Sequence, residues 1–203
     1  MPAPERQAPG PCGRGHFAVS RGELDAAFGA GRVAVIAPDR LNPAVTHPDT
    51  GRFLATVGLP AVGDFLFAAD DGLAGGLVPA VGRRPWLPEL PGVDAGVGSW
   101  VVLGFFWDDV ILLDGATGRV LVLVDGTSQV VPLNSGVDLF ARFLTEVRRA
   151  LPALTEGDED EDDDAHEAAG ARLLQELRGL DPAVFGAPPG YWDGVVDAVV
   201  WGV

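Results

Sequence analysis

The sequence predicts an α+β fold: a central, mostly antiparallel sheet of five to six strands, flanked by N-terminal and C-terminal helices. Three observations carry this. Apolar runs between residues 100 and 133 follow one another through tight turns, without room for crossover helices, which favours antiparallel pairing over a doubly wound nucleotide-binding fold. Helical periodicity lies before and after those runs. At 203 residues, 47% hydrophobic and with five tryptophans, the chain can bury a sizeable core.

In chain order, residues 1–18 are rich in Pro and Gly and read as a disordered arm, leaving 19–203 as a single domain. Ser20 and Glu23 have the spacing of a capping box, and Leu24, Ala27 and Phe28 recur at helical spacing before Gly29 and Gly31, so a helix is expected over 21–28. Residues 33–36 predict a buried strand ended by Pro38. Over 49–57, Phe53, Leu54 and Val57 share a helical face. Gly58 stands where a left-handed cap belongs and Pro60 bars continuation. A strand is expected over 65–68.

From 70 to 98, Gly and Pro recur too often for any period to emerge. Trp86 and Leu87, between Pro85 and Pro88, predict an extended piece laid across the body. Residues 100–107 are nearly all apolar, as in a central strand covered on both faces. Asp108-Asp109 makes the next turn and 110–113 returns. Asp114, Gly115 and Gly118 have hairpin composition and lead into 120–124, and Asp125-Gly126 turns the chain again towards Val130, Val131 and Leu133.

Ser135 and Asp138 repeat the capping-box spacing ahead of a helix over 136–150, with Val137, Phe140, Leu144 and Val147 at steps of three and four. Residues 156–164 form an acidic loop insertion that cannot pack, because like charges repel. A helix over 165–177 follows, with Leu173, Leu174 and Leu177 as its apolar face. Asp181-Pro182 starts a short turn, Asp at the cap and Pro at the first helical position. Trp192, Val195, Val196, Val199 and Val200 stripe a final helix.

The net charge is −15, and outside 156–164 the chain still carries 21 acidic against 14 basic residues. Such a protein repels phosphate backbones, so direct nucleic-acid binding is not expected, whereas a basic protein partner would be drawn in. One cysteine, Cys12, leaves no internal disulfide and no cysteine metal cage. The start, Met1 to Arg6, lacks the apolar core of a signal peptide, and the uncharged run 95–107 is too short to span a bilayer. A cytoplasmic monomer without membrane contact is the expectation.

The residues offer little for catalysis. His16, His47 and His166 have no sequence partner that would activate a nucleophile, and no His-x-x-x-His or Cys-x-x-Cys pair suggests zinc. The glycines at 72–76 lack the Lys and Ser or Thr of a phosphate loop, and Gly92, Gly96 and Gly98 precede a strand. Asp108, Asp109 and Asp114, placed on adjoining strand ends, are the one carboxylate group that could bind a divalent cation or do acid–base work. Turn formation and solubility account for them better. Residues 156–164 lack the glycine-centred spacing of a calcium loop. No catalytic, cofactor or metal residue is assigned. Trp107 beside the Asp108-Asp109 turn, Trp86 among prolines, and the pair Tyr191-Trp192 are the aromatics best placed for exposure. Trp86, Trp107, Asp108 and Asp109 are therefore candidate partner contacts, aromatic anchors rimmed by acid.

The order of motifs carries a resemblance. Phe28-Gly29 through Arg32-Val33, then Thr46-His47-Pro48, then Phe53-Leu54-Ala55-Thr56-Val57-Gly58-Leu59-Pro60 resembles the opening of the SUKH superfamily in its fourth subfamily. Leu113-Asp114-Gly115-Ala116-Thr117-Gly118-Arg119-Val120 continues it. Leu133-Asn134-Ser135 before a helix with Phe140, and Asp181-Pro182, Tyr191-Trp192 and Val195-Val196, complete it. The likeness spans about residues 24–203. Gly136 stands where these proteins usually repeat a serine, and the acidic run is an insertion. The resemblance implies an α+β immunity protein of bacterial polymorphic toxin systems. Such a protein neutralises a cognate toxin, often a nuclease or nucleic-acid deaminase, by binding it and without catalysis. It implies no catalytic residues and toxin contacts that vary with the toxin. Two other readings remain open on the residues alone: a regulatory scaffold of the same fold, and a hydrolase using Asp108, Asp109 and Asp114.

Overall fold

The first helix begins where the capping box places it. Ser20 Oγ accepts the Glu23 N–H, Glu23 Oε2 accepts the Ser20 N–H at 2.9 Å, and α1 runs Arg21–Phe28. The structure is a computed structural model and describes residues 16–61, 66–90, 93, 95–127, 129–155, 163–186 and 190–201. A two-residue strand, β1 (Val33–Ala34), pairs antiparallel with β2 (Leu59–Pro60) across α2 (Pro48–Thr56). At the end of α2, Gly58 takes φ +86° and returns its N–H to the Phe53 carbonyl at 3.0 Å.

The main sheet has six strands: β3 (Phe67–Ala69), β4 (Val78–Pro79), β5 (Trp100–Phe106), β6 (Asp109–Asp114), β7 (Val120–Val124) and β8 (Gln129–Asn134). Every pairing is antiparallel, in the order β3-β5-β6-β7-β8, with β4 also on β5. Alternation, reset by irregularities between Val102 and Gly104 and between Val120 and Leu121, then sends side chains to two cores. Val101, Leu103, Ile111, Leu113, Val120 and Val122 face the large one. There they meet α4 (Val137–Thr155), which brings Phe140, Phe143, Leu144 and Val147, and α6 (Tyr191–Trp201), which brings Trp192, Val195 and Val196. Between these two in the chain, α5 (Asp163–Leu180) adds Leu173 and Leu177. Val102, Val110, Leu112 and Leu123 face the other way, under Ala80 of α3 (Ala80–Arg83), Leu87 and Val97. The central strands are thus covered on both faces, as their continuous apolar composition requires.

Several local expectations change. Phe17 packs edge-on against Phe53 at 5.1 Å and the Ala18 N–H bonds Asp138 Oδ2 at 3.0 Å, so the end of the expected arm is packed. Residues 1–15 lie outside the described residues. The strand expected over 33–36 pairs only through Val33 and Ala34, and Ile36 instead gives its N–H to Leu54 of α2. Residues 87–89 form a 3-10 turn with Leu87 fully buried, not an extended piece, because Pro88 sits comfortably in a first helical turn. Similar short turns occupy 73–75 and 95–99, which is why the stretch 70–98 has no readable period. Phe65, expected in a strand, lies outside the described residues.

The capping box at Ser135 and Asp138 does not form. Helix α4 starts at Val137, with the Gly136 carbonyl accepting from Phe140, and Ser135 turns its hydroxyl to Asp181 Oδ1 at 2.7 Å. Asp181 does stand at the cap of a 3-10 turn over 182–185 with Pro182 at its start, but its carboxylate makes no cap bond and is instead buried against Ser135 and Asn134. Of the acidic run, Asp163 and Asp164 already belong to α5, and 156–162 lie outside the described residues.

Candidate functional site

The turn between β5 and β6 is Trp107-Asp108, one residue earlier than composition suggested, because Asp109 joins the ladder opposite Phe106. Trp107 is the first of its two loop residues and has φ +50°. Two-residue hairpin loops put Gly, Asn or Asp at that position, since a Cβ there crowds the following carbonyl. A left-handed L-residue costs about 1–2 kcal/mol. Trp107 is also 55% exposed, so burial does little to offset that cost.

Asp109 holds the turn in place. Its Oδ2 accepts the Tyr191 hydroxyl at 2.6 Å and its Oδ1 accepts the Asp125 N–H at 2.6 Å, tying β6 to the start of α6 and to the β7–β8 turn. Burial, the hydrogen bond to Asp109 and the negative charge of that carboxylate push the Tyr191 phenol well above its ordinary pKa, so it stays a neutral donor. Behind it, Phe106 stacks on Tyr191 at 6.2 Å and meets Trp192 edge-on at 5.7 Å. Trp192 is fully buried and donates Nε1–H to the Leu133 carbonyl at 3.0 Å. Of the pair expected to be exposed, then, only Tyr191 reaches the surface, and only partly.

These contacts leave an open groove of about 770 Å³, walled chiefly by Trp107, Val131, Pro132, Val184, Tyr191 and Val195, with Gly186, Gly190 and Gly194 along its rim. The lining is mostly apolar, and Asp109 is the charged residue in it. On the other side of the turn, Trp86 and Asp108 share a notch of about 130 Å³ with Arg84, Asp125 and Gly126. The four residues singled out from the sequence thus converge on one hairpin tip but face two depressions. Val131, Pro132, Val184, Tyr191 and Val195 were not among them. Tyr191 stood out only as an aromatic placed for exposure, Val195 sits in the apolar stripe of its helix, which marked it as core, and nothing local distinguishes Val131, Pro132 and Val184.

Asp114 does not join Asp108 and Asp109. It ends β6, five residues from Asp109 and about 17 Å away at the ordinary strand rise. There it organises the next hairpin, accepting Ser99 Oγ–H at 2.7 Å, the Ala116 N–H at 3.0 Å and Thr117 Oγ1–H at 2.6 Å. Burial alone would raise its pKa, but the bonds from Thr117, Ser99 and Ala116 hold the carboxyl below its usual range. The three-carboxylate site is overturned by this separation, and among the described residues no group of three or more His, Cys, Asp or Glu is placed to hold a metal. Among the described residues, too, no helix is long and apolar enough to cross a membrane.

The architecture is that of an α+β protein with an antiparallel sheet, the long helices packed on one face, and a mostly apolar surface groove beside the β5–β6 turn. The chain matches the family model of the SUKH-4 immunity protein over residues 19–198, and it belongs to that family. No curated protein and no solved structure matches it.

Proposed function

We propose that this protein is the immunity partner of a basic toxin, a nuclease or a nucleic-acid deaminase, and that it acts inside the cell by binding the toxin over its active site. It works by occlusion, with no catalytic step, cofactor or metal of its own. Membership of the SUKH-4 immunity family carries the reading. The charge of −15 supports the rest: clefts that hold nucleic acid are lined with Lys and Arg, and an acidic protein can take the place of the phosphate backbone there.

The test is capture from lysate of the native host, identification of the co-purifying toxin domain, and co-expression. Cells making that toxin should survive only with this protein present. A protein that binds its partner but rescues no toxin-expressing cell would instead be a regulatory scaffold. Affinity should fall steeply between low and high salt, and an affinity flat across that range would remove charge-driven occlusion as the mechanism.

A further inference from the structure

Trp107 is the residue the fold least explains. It occupies a loop position that suits glycine, in a left-handed conformation, with its ring in solvent. Strain kept at an exposed aromatic points to use at a surface. The groove it borders is apolar and rigidly framed, because Asp109 bonds both Tyr191 and the β7–β8 turn. The charge around the groove is acidic. Asp109 lies in it, exposed Asp108 follows Trp107 in the turn, and Asp193 and Asp197 lie on the same helix as Gly194, Asp193 paired with Arg178. Arg178 also lies over the Phe185 ring.

We infer that this groove is the docking surface for a protein partner. It receives an apolar side chain that stands among Lys and Arg residues on the partner, with Trp107 as the principal anchor. Trp107 and Tyr191 supply broad rigid faces, the groove walls exclude water, and the carboxylates of the turn and of the surrounding acidic surface draw in the partner's basic surround. The inference deepens the proposed function and rests on it for the identity of the partner as a toxin. It also divides the hairpin tip: the groove side makes the central contact and the Trp86 notch does not.

Two substitutions separate binding from folding. Trp107→Gly suits the backbone, so the melting temperature should hold or rise while toxin affinity drops about 30-fold or more, as for a central interface anchor. Gly194→Arg adds a side chain where a Cβ meets nothing within 4 Å, so folding should survive. It places bulk and a repelling positive charge at the groove mouth, and toxin affinity should fall comparably. Gly82→Arg, equally open but on α3 over the opposite sheet face, should bind as wild type, as should Trp86→Ala.

A second readout needs no toxin. Random peptides displayed on phage and selected on the immobilised protein at low salt should carry an apolar residue flanked by Lys or Arg, and should fail on Gly194→Arg. If no toxin is found but these peptides behave so, the proposed function falls and the groove stands. If the toxin is bound and rescued yet neither groove variant weakens it, the groove assignment falls and the function stands. A clear drop in the melting temperature of Trp107→Gly, or peptides that ignore both groove variants, also overturns the assignment.

Discussion

Tyr191 and Asp109 are separated by 82 positions, yet their 2.6 Å hydrogen bond sets one wall of the groove. Tyr191→Phe leaves the ring stack on Phe106 and removes only that bond, which should cost about 1–2 kcal/mol in chemical denaturation. The pH signature has a definite sign. The folded phenol has a raised pKa, so the folded state holds its proton more tightly than the unfolded chain. The associated stability is present below the unfolded value of about 10 and declines as pH rises above it, and the Phe variant should lose that alkaline decline. Asp114 works in the opposite sense. Its folded pKa is lowered, so its contribution is present above the unfolded value of about 3.9 and disappears as pH falls through the folded value. Asp114→Asn should cost about 1–2 kcal/mol at neutral pH and flatten the loss of stability below about pH 4. Sequence reading recognised Asp114 as a turn residue because its partners, Ala116 and Thr117, are close in the chain. It marked Tyr191 for exposure but could not find its partner, which depends on how α6 is laid across the sheet.

Elements are joined at a few positions that tolerate little. A Cβ on Gly58 would stand 2.1 Å from the Ala34 carbonyl oxygen, and its φ of +86° disfavours any other residue. Gly58→Ala should therefore destabilise by more than about 2 kcal/mol, read as a shift in denaturation midpoint without a change in slope. Asp181 is the corresponding tie between the end of α5 and the end of β8: it accepts the Ser135 N–H, the Ser135 hydroxyl and an Asn134 N–H while nearly fully buried. Asp181→Ala leaves those donors without it and should cost about 2–4 kcal/mol, lowering the melting temperature markedly. Gly58 was legible as a cap, since a helical face stops one residue before it and proline follows. The Asp181 tie was not. Its sequence signature, Asp before Pro, marks the local cap position it does hold but not the partner of its carboxylate, and the capping-box spacing of Ser135 and Asp138 likewise does not foretell the hydroxyl's partner. In both cases a partner distant in the chain offered the oxygen a better-buried bond.

Across the whole molecule, charge and shape divide the work of binding. On the proposed function, the net charge acts over a Debye length and would govern how fast a basic partner arrives, whereas the groove would govern how long it stays. Replacing the acids of 156–162 by serine should slow association about tenfold at low salt, leave dissociation unchanged, and preserve the melting temperature. Stopped-flow association and thermal unfolding measure the two sides. Trp107→Gly should show the reverse, with faster dissociation and little change in association.

The sequence by itself determined the α+β class, the order of the strands from β5 to β8, the helices that flank them and the acidic surface. These depend on interactions between neighbours in the chain: period-two alternation, 3.6-residue stripes, and glycines at turns. Only the tertiary structure decided that Asp109 and Asp114 sit at opposite ends of one strand, and that Trp86 and Trp107 face different depressions. It alone brought Tyr191, Val184 and Pro132 together with Trp107 into a single groove. The physical reason is that a groove exists between elements. Its walls come from a hairpin tip, an edge strand and a helix start, and no local propensity records the distance between them.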